Sequence, residues 1–246
     1  NLGVMYYNGQ YVGRDIDKAI QYFLLAANQN DIKAQFYLGF IYSEGRYVER
    51  DINKAIHYYS LAANQNDIKA QYSLGVMYYN GQYVGRDIYK AIHYYALAAN
   101  QNFPQAYCNL GFIYCEGRYV ERDIGKAIHY YALAANQNHP EAQCNLGCIY
   151  YKGEYVTPDI DKAIHYYTLA ANQNFPKAQF ELGLLYYTGE KKKQDIKKAT
   201  YYIILASNNN FKDAYYFHAF LLHEGIFVKE DIQQAIHYYK EASSFN

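Results

Sequence analysis

Five histidines, His57, His93, His129, His165 and His237, occupy one position of a 36-residue period, and four cysteines, Cys108, Cys115, Cys144 and Cys148, gather in two neighbouring periods. Both residue types can ligate zinc or a softer metal, and both can serve in nucleophilic or acid–base catalysis. The histidine spacing argues against a metal. No second histidine lies four residues on, whereas ligands must converge within about 2 Å of one ion. The five are therefore read as a ladder of solvated or edge-packed rings. Cys108 and Cys144 are equivalent positions of adjacent periods and Cys148 follows Cys144 by one helical turn, so thiols could gather on one face. There is no CxxC, and isolated cysteines commonly behave as small hydrophobes. His223-Glu224 lacks the second histidine of HExxH, and GxSxG, the P-loop and GxGxxG are all missing. No catalytic residue, metal ligand or cofactor site is assigned.

A different chemistry lies in a set of largely aromatic triplets. They read Phe36, Phe40, Ser43; Tyr72, Val76, Tyr79; Cys108, Phe112, Cys115; Cys144, Cys148, Tyr151; Phe180, Leu184, Tyr187; and Tyr216, Phe220, His223. Spacing of i, i+4, i+7 puts each triplet on one face of a helix. Their identities change from period to period, while the neighbouring Leu38 and Tyr42 positions hold nearly constant. Such variation suits a recognition surface. The competing reading is that the triplets pack one helix against its equivalent in the next period. Phenylalanine and tyrosine supply contact area, and tyrosine adds a hydrogen-bonding tip.

The elements that position these residues follow from the period itself. Leu-Gly recurs as Leu2-Gly3, Leu38-Gly39, Leu74-Gly75, Leu110-Gly111, Leu146-Gly147 and Leu182-Gly183, then degrades to His218-Ala219. A second glycine follows six residues later without exception, from Gly9 to Gly225, and an aspartate recurs from Asp15 to Asp231. In residues 31–66, Ala34, Leu38, Ile41 and Tyr42 form one helical stripe, helix A. Gly39 allows close approach of a neighbouring helix, and Gly45 suits the left-handed residue that ends one. Asp51 is placed to cap helix B, expected over about Ile52 to Asn64. Ile52, Ala55, Ile56, Tyr59, Ala62 and Ala63 form its packed side. The Asn64-Gln65-Asn66 run breaks the pattern, and Pro104, Pro140 and Pro176 sit at first helical positions. The expected repeats are 1–30 (short at its start), 31–66, 67–102, 103–138, 139–174, 175–210 and 211–246, forming a single array.

The pattern A-x-x-x-L-G-x-x-Y-x-x-G followed by D-x-x-K-A-x-x-x-Y-x-x-A-A resembles that of Sel1-like repeats, relatives of tetratricopeptide repeats. Ala34, Leu38, Gly39, Tyr42, Gly45, Asp51, Lys54, Ala55, Tyr59, Ala62 and Ala63 carry it, and it covers the whole chain. The resemblance implies an all-α, right-handed superhelical α-solenoid of seven two-helix repeats that acts as a scaffold or adaptor. It further implies a concave groove lined by helix A. A protein or peptide partner would then meet Phe36, Phe40, Tyr72, Tyr79, Phe112, Tyr151, Phe180, Leu184, Tyr187, Tyr216 and Phe220.

Departures from the pattern add detail. Lys191 and Lys192 replace the usual Tyr-Val of the loop, beside Lys193, Lys197 and Lys198, and are read as a solvated loop. Glu241 and Lys240 stand where earlier repeats carry Leu61 and Ser60, as a terminal cap would require. The chain opens inside its first helix A without an initiator methionine, so a longer parent is expected. Residues 2–16 recur unchanged at 74–88, and 38–52 recur at 110–124 with only Ser43 replaced, by Cys115. The duplicated piece was a pair of repeats.

Lys plus Arg equals Asp plus Glu at 23 each, which leaves no global field for nucleic acid or an anionic membrane. No apolar run approaches the roughly 18 residues that span a bilayer. Free thiols and the lack of any Asn-x-Ser/Thr acceptor favour a reducing compartment. Two alternatives stay open: an RNA-binding helical repeat, since aromatics stack on bases, and a non-catalytic repeat region of a larger enzyme-containing chain.

Overall fold

The computed structural model describes residues 2–81, 84–189 and 193–244. Among them are fourteen helices and no strand. The chain divides into two compact units, Asn1–Arg122 and Asp123–Asn246. The first holds α1 (Leu2–Asn8), α2 (Ile16–Ala27), α3 (Ile32–Glu44), α4 (Ile52–Asn64), α5 (Ile68–Asn80), α6 (Ile88–Asn100) and α7 (Pro104–Glu116). The second holds α8 (Ile124–Ala135), α9 (Pro140–Lys152), α10 (Ile160–Ala171), α11 (Pro176–Thr188), α12 (Ile196–Asn208), α13 (Lys212–Glu224) and α14 (Ile232–Ser243). Odd-numbered helices are helix A of each repeat and even-numbered ones helix B.

Local chemistry sets the helix ends. The Asp51 carboxylate accepts from the Lys54 amide at 2.9 Å and pairs with the Lys54 ammonium at 3.3 Å. One residue thus caps the helix, satisfies an orphan donor and complements the dipole. The Lys54 ammonium also lies 5.1 Å above the Tyr42 ring, which stacks on Tyr58. Lys90 with Tyr78 and Tyr94, and Lys162 with Tyr150 and Tyr166, repeat the arrangement. Helix A stops where Gly45 takes φ +63°, and helix B ends in a turn whose Asn66 takes φ +65°, a conformation asparagine tolerates better than most residues.

In the first, second, third and fifth repeats the core is one ring lodged over one glycine. A Cβ on Gly39 would lie 2.6 Å from Tyr59 Cδ1, and one on Gly75 would lie 2.5 Å from Tyr95 Cδ1. The missing side chain is the slot that lets the tyrosine ring bury fully against helix A. Buried glutamines then tie four of the repeats to the repeat before them. The Gln71 amide donates to the Ala63 carbonyl at 3.2 Å and its own oxygen accepts from Gln101 at 2.9 Å. Gln35, Gln143 and Gln179 do the same. Each pairing satisfies polar groups whose burial would otherwise be costly.

Candidate functional site

In the N-terminal unit, α3 and α5 run side by side as consecutive A helices. Between them opens a cleft of about 300 Å³ walled by Phe40, Tyr59, Tyr72, Val76 and Met77, with Ser43 among its polar groups. Its lining is mainly apolar with a few hydroxyls, the composition that suits side chains of a bound segment.

The three positions of each triplet take different roles. The first turns into the packing between helix pairs. The Phe36 ring lies 5.8 Å from Tyr59, and Tyr72 lies 5.7 Å from Tyr95 and 5.2 Å from Phe103. Phe180 is buried between Phe211 and Phe217, and Cys108 and Cys144 are buried too. Tyr216 departs from this rule, for it is 58% exposed and edge-on to Tyr239. The second position is more open. Phe40 lines the cleft, Phe112 is 39% exposed, and Leu184 and Phe220 are half-buried. At the third position Tyr79 is half-buried with its ring edge toward Phe112. Tyr151 is half-buried against the cluster around Tyr167, and Tyr187 is edge-on to Phe217.

Hydroxyls of the buried ring positions reach toward this face. Tyr59 Oη lies 3.3 Å from Ser43 Oγ, and Tyr167 donates to Cys148 Sγ at 3.3 Å. Burial raises the pKa of Tyr59, Tyr95 and Tyr167, so all three stay neutral phenols at neutral pH. Cys144 and Cys148 lie together with the Tyr167 hydroxyl, which with the neighbouring thiol lowers Cys148, while the Cys144 thiol is pushed up by Cys148 and by its own burial. Among the described residues no disulfide joins the four cysteines. Cys144 and Cys148 offer two of the four ligands that a tetrahedral ion requires. The five ladder histidines are exposed, with each ring edge or tilted face against the tyrosine that follows it.

At one end of the A helices lies a contact that sequence reasoning missed. Arg14, from the loop of the first repeat, donates to the Tyr47 hydroxyl of the second at 2.7 Å and lies 4.6 Å from its ring centroid. Arg86 meets the Tyr119 hydroxyl in the same way, with its guanidinium 4.9 Å from the ring. The partners are 33 residues apart. The regular recurrence of Arg two residues before the helix B start, and of Tyr two after the helix A glycine, was the available signal. Lys193, Lys197 and Lys198 are exposed, while Lys191 and Lys192 lie outside the described residues.

Among the described residues no helix is long and apolar enough to cross a membrane. Comparison with curated proteins gives no match. Among solved structures, the chain is similar to c5321, a protective antigen of uropathogenic Escherichia coli displaying an SLR fold. That match has 30% identity and a TM-score of 0.85, over 99% of this chain and 52% of that one. It is also similar to a Sel1 repeat protein from Oxalobacter formigenes at 32% identity and a TM-score of 0.88, over 99% of this chain and 70% of that one. This chain thus spans about half the length of the first. An immunity protein from Pseudomonas aeruginosa, at 20% identity and a TM-score of 0.55 over 87% of this chain and 81% of that one, shares the fold alone. The Sel1 repeat itself matches seven times, at residues 1–31, 32–67, 68–103, 104–139, 140–175, 176–211 and 212–244. With slot glycines, capping aspartates and lodged rings recurring in that register, the chain belongs to the Sel1 repeat family and is an all-α helical solenoid.

Proposed function

We propose that the chain is a non-catalytic interaction scaffold whose helix A face takes up an extended segment of a partner protein. Helical solenoids of this family commonly serve as protein-interaction scaffolds. The observation that carries the finer reading is the mainly apolar cleft between α3 and α5, lined by residues that differ from one repeat to the next. The repeated positions build the frame, and the second and third triplet positions are left to choose the ligand. In the N-terminal unit Phe40, Tyr79 and Phe112 contact the segment, and Tyr151, Leu184, Tyr187 and Phe220 offer the equivalent positions for a segment on the C-terminal unit. Phe36, Tyr72 and Phe180 hold the A helices in place behind it, and Tyr216 stands exposed on the last helix A.

Peptides selected from a random display library on the purified chain test this reading. A photo-crosslinking phenylalanine analogue at Phe112 or Val76 is expected to trap the selected peptide, whereas the same group at the exposed His93 of α6 is expected to trap none. Adducts from His93 alone would move the binding face to helix B. Capture of RNA that weakens steeply with salt would favour the nucleic-acid alternative.

A further inference from the structure

The structure carries the same small cleft twice, and its chemistry narrows the partner. One copy, of about 60 Å³, is lined by Tyr7, Phe40, Glu44, Arg46 and Tyr47. The other, of about 130 Å³, is lined by Tyr79, Arg86, Phe112, Glu116, Arg118 and Tyr119. The second repeats the first 72 residues on, Phe40 by Phe112 and Arg46 by Arg118, as the two-repeat duplication dictates. Each cleft therefore adjoins a second-position aromatic of the helix A face.

Two guanidiniums converge on one phenol in each copy. The Tyr47 hydroxyl accepts from Arg14, and Arg46 lines the same cleft beside Tyr47 and lowers its pKa. Tyr119 accepts from Arg86, and Arg118 lies 5.4 Å from its ring centroid. Among the described residues none of these four arginines forms an ion pair with a carboxylate. Against the pair stands one acid per cleft, Glu44 or Glu116, which leaves one surplus positive charge at each, counting Arg14, which reaches Tyr47 from outside the wall of the smaller cleft. The doubled arginine belongs to these two clefts. At the positions equivalent to Arg46 and Arg118, the first and third repeats carry Gln10 and Gln82, the fifth and sixth carry Glu154 and Glu190, and the seventh carries Ile226.

Resting on the groove reading above, we infer that the partner is an acidic peptide presenting two carboxylates, one to Arg14 and Arg46 and the other to Arg86 and Arg118. An arginine fork matches a carboxylate in geometry as well as charge, and here it would exchange a neutral phenol for an anion. Consecutive A helices pack at about 8 to 10 Å, so the clefts, two helix steps apart, are separated by roughly 16 to 20 Å. An extended chain advances about 3.3 Å per residue, which places the two acids about six residues apart with apolar side chains between them for the cleft at Val76.

Fluorescence anisotropy with three labelled synthetic peptides tests this. One carries two glutamates about six residues apart with a leucine midway and glycine and serine elsewhere. The second has the glutamates adjacent, and the third has glutamine in their place. The chain is expected to bind the spaced peptide about tenfold or more tighter than either control, and to lose that preference at high salt. Arg46→Gln and Arg118→Gln, which install the residue the sequence itself uses in other repeats, should each cost about tenfold with no change in melting temperature. Equal binding of all three peptides, or Gln variants that bind the spaced peptide like the parent, would overturn the acidic assignment while leaving the groove standing. Binding of none would overturn both.

Discussion

The two compact units spend their sequence variation in different places. In Asn1–Arg122 the interior is regular, with Phe23, Tyr59 and Tyr95 each buried over the glycine of its own repeat. There the novelty lies outside, in the arginine and tyrosine loops. In Asp123–Asn246 the interior itself drifts toward the last repeats. Ile203 takes the ring position over Gly183, Ala219 takes the glycine position, and Tyr239 above it is only half-buried. His218 stands where other repeats have leucine, and its Nδ1 lies 2.8 Å from Ser207 Oγ, which itself replaces an alanine. Thr200 replaces an isoleucine and leaves its hydroxyl buried without a partner. The loops change too, with Pro158, Gln194 and Glu230 at the position of Arg14. The repeat frame therefore tolerates change in its loops freely, and in its core by paired replacement or by loosening the ring.

The largest effect expected from this contrast is at the slot glycines. Gly75→Ala would press a methyl against the rigid, fully enclosed Tyr95 ring, and should destabilise the chain by about 2 to 3 kcal/mol. Gly183→Ala meets the Cγ1 of Ile203 at 2.7 Å and its backbone nitrogen at 3.2 Å, and with one aliphatic branch to displace in place of a rigid ring it should cost less. Gly13→Ala, with nothing within 4 Å, should stay within about 0.5 kcal/mol. Denaturant unfolding of the three variants orders them, and an equal cost at Gly75 and Gly183 would break the contrast between the two cores.

A smaller effect is expected with pH, from His218 of the C-terminal unit. Burial lowers His218 to about 4, against an unfolded value of about 6.5. The folded state therefore holds the ring neutral and the unfolded state binds the proton first. Its contribution is complete above about pH 6.5 and is lost as pH falls toward about 4. Melting temperature should drop over that window, and His218→Leu combined with Ser207→Ala should remove this part of the drop. An identical pH profile in the double variant would show that His218 is not the group responsible.

What the sequence made legible was local. The Asp51 cap, helix B over Ile52–Asn64, the left-handed Gly45 and the first-turn Pro104 each depend on a few neighbouring residues, and each stands where the pattern put it. The slot under Tyr59 was half legible, since Gly39 announced a close approach without naming the ring 20 positions later. Which triplet position packs and which faces outward was not legible. Phe36 and Phe40 share one helical stripe, and their separation depends on how one helix pair rotates against the next, a tertiary quantity with no local signature. The burial of Gln71 had no local signature, because its partners Ala63 and Gln101 belong to other helices. The Arg14 and Tyr47 contact was hidden for the same reason.

The central claim, a frame of packed first positions carrying a binding face of second and third positions, is tested most directly within one helix. Tyr72 and Tyr79 both lie on α5, the first against Tyr95 and Phe103, the second edge-on to Phe112. With a peptide selected on the chain, dissociation constant and melting temperature are measured for Tyr72→Ala and Tyr79→Ala, with Tyr151→Ala as the C-terminal counterpart of Tyr79. Tyr79→Ala should weaken binding by about 1 to 2 kcal/mol with little change in melting temperature. Tyr72→Ala should instead lower stability by about 3 kcal/mol or more. Unchanged peptide affinity together with a sharply lowered melting temperature in Tyr79→Ala would contradict the account.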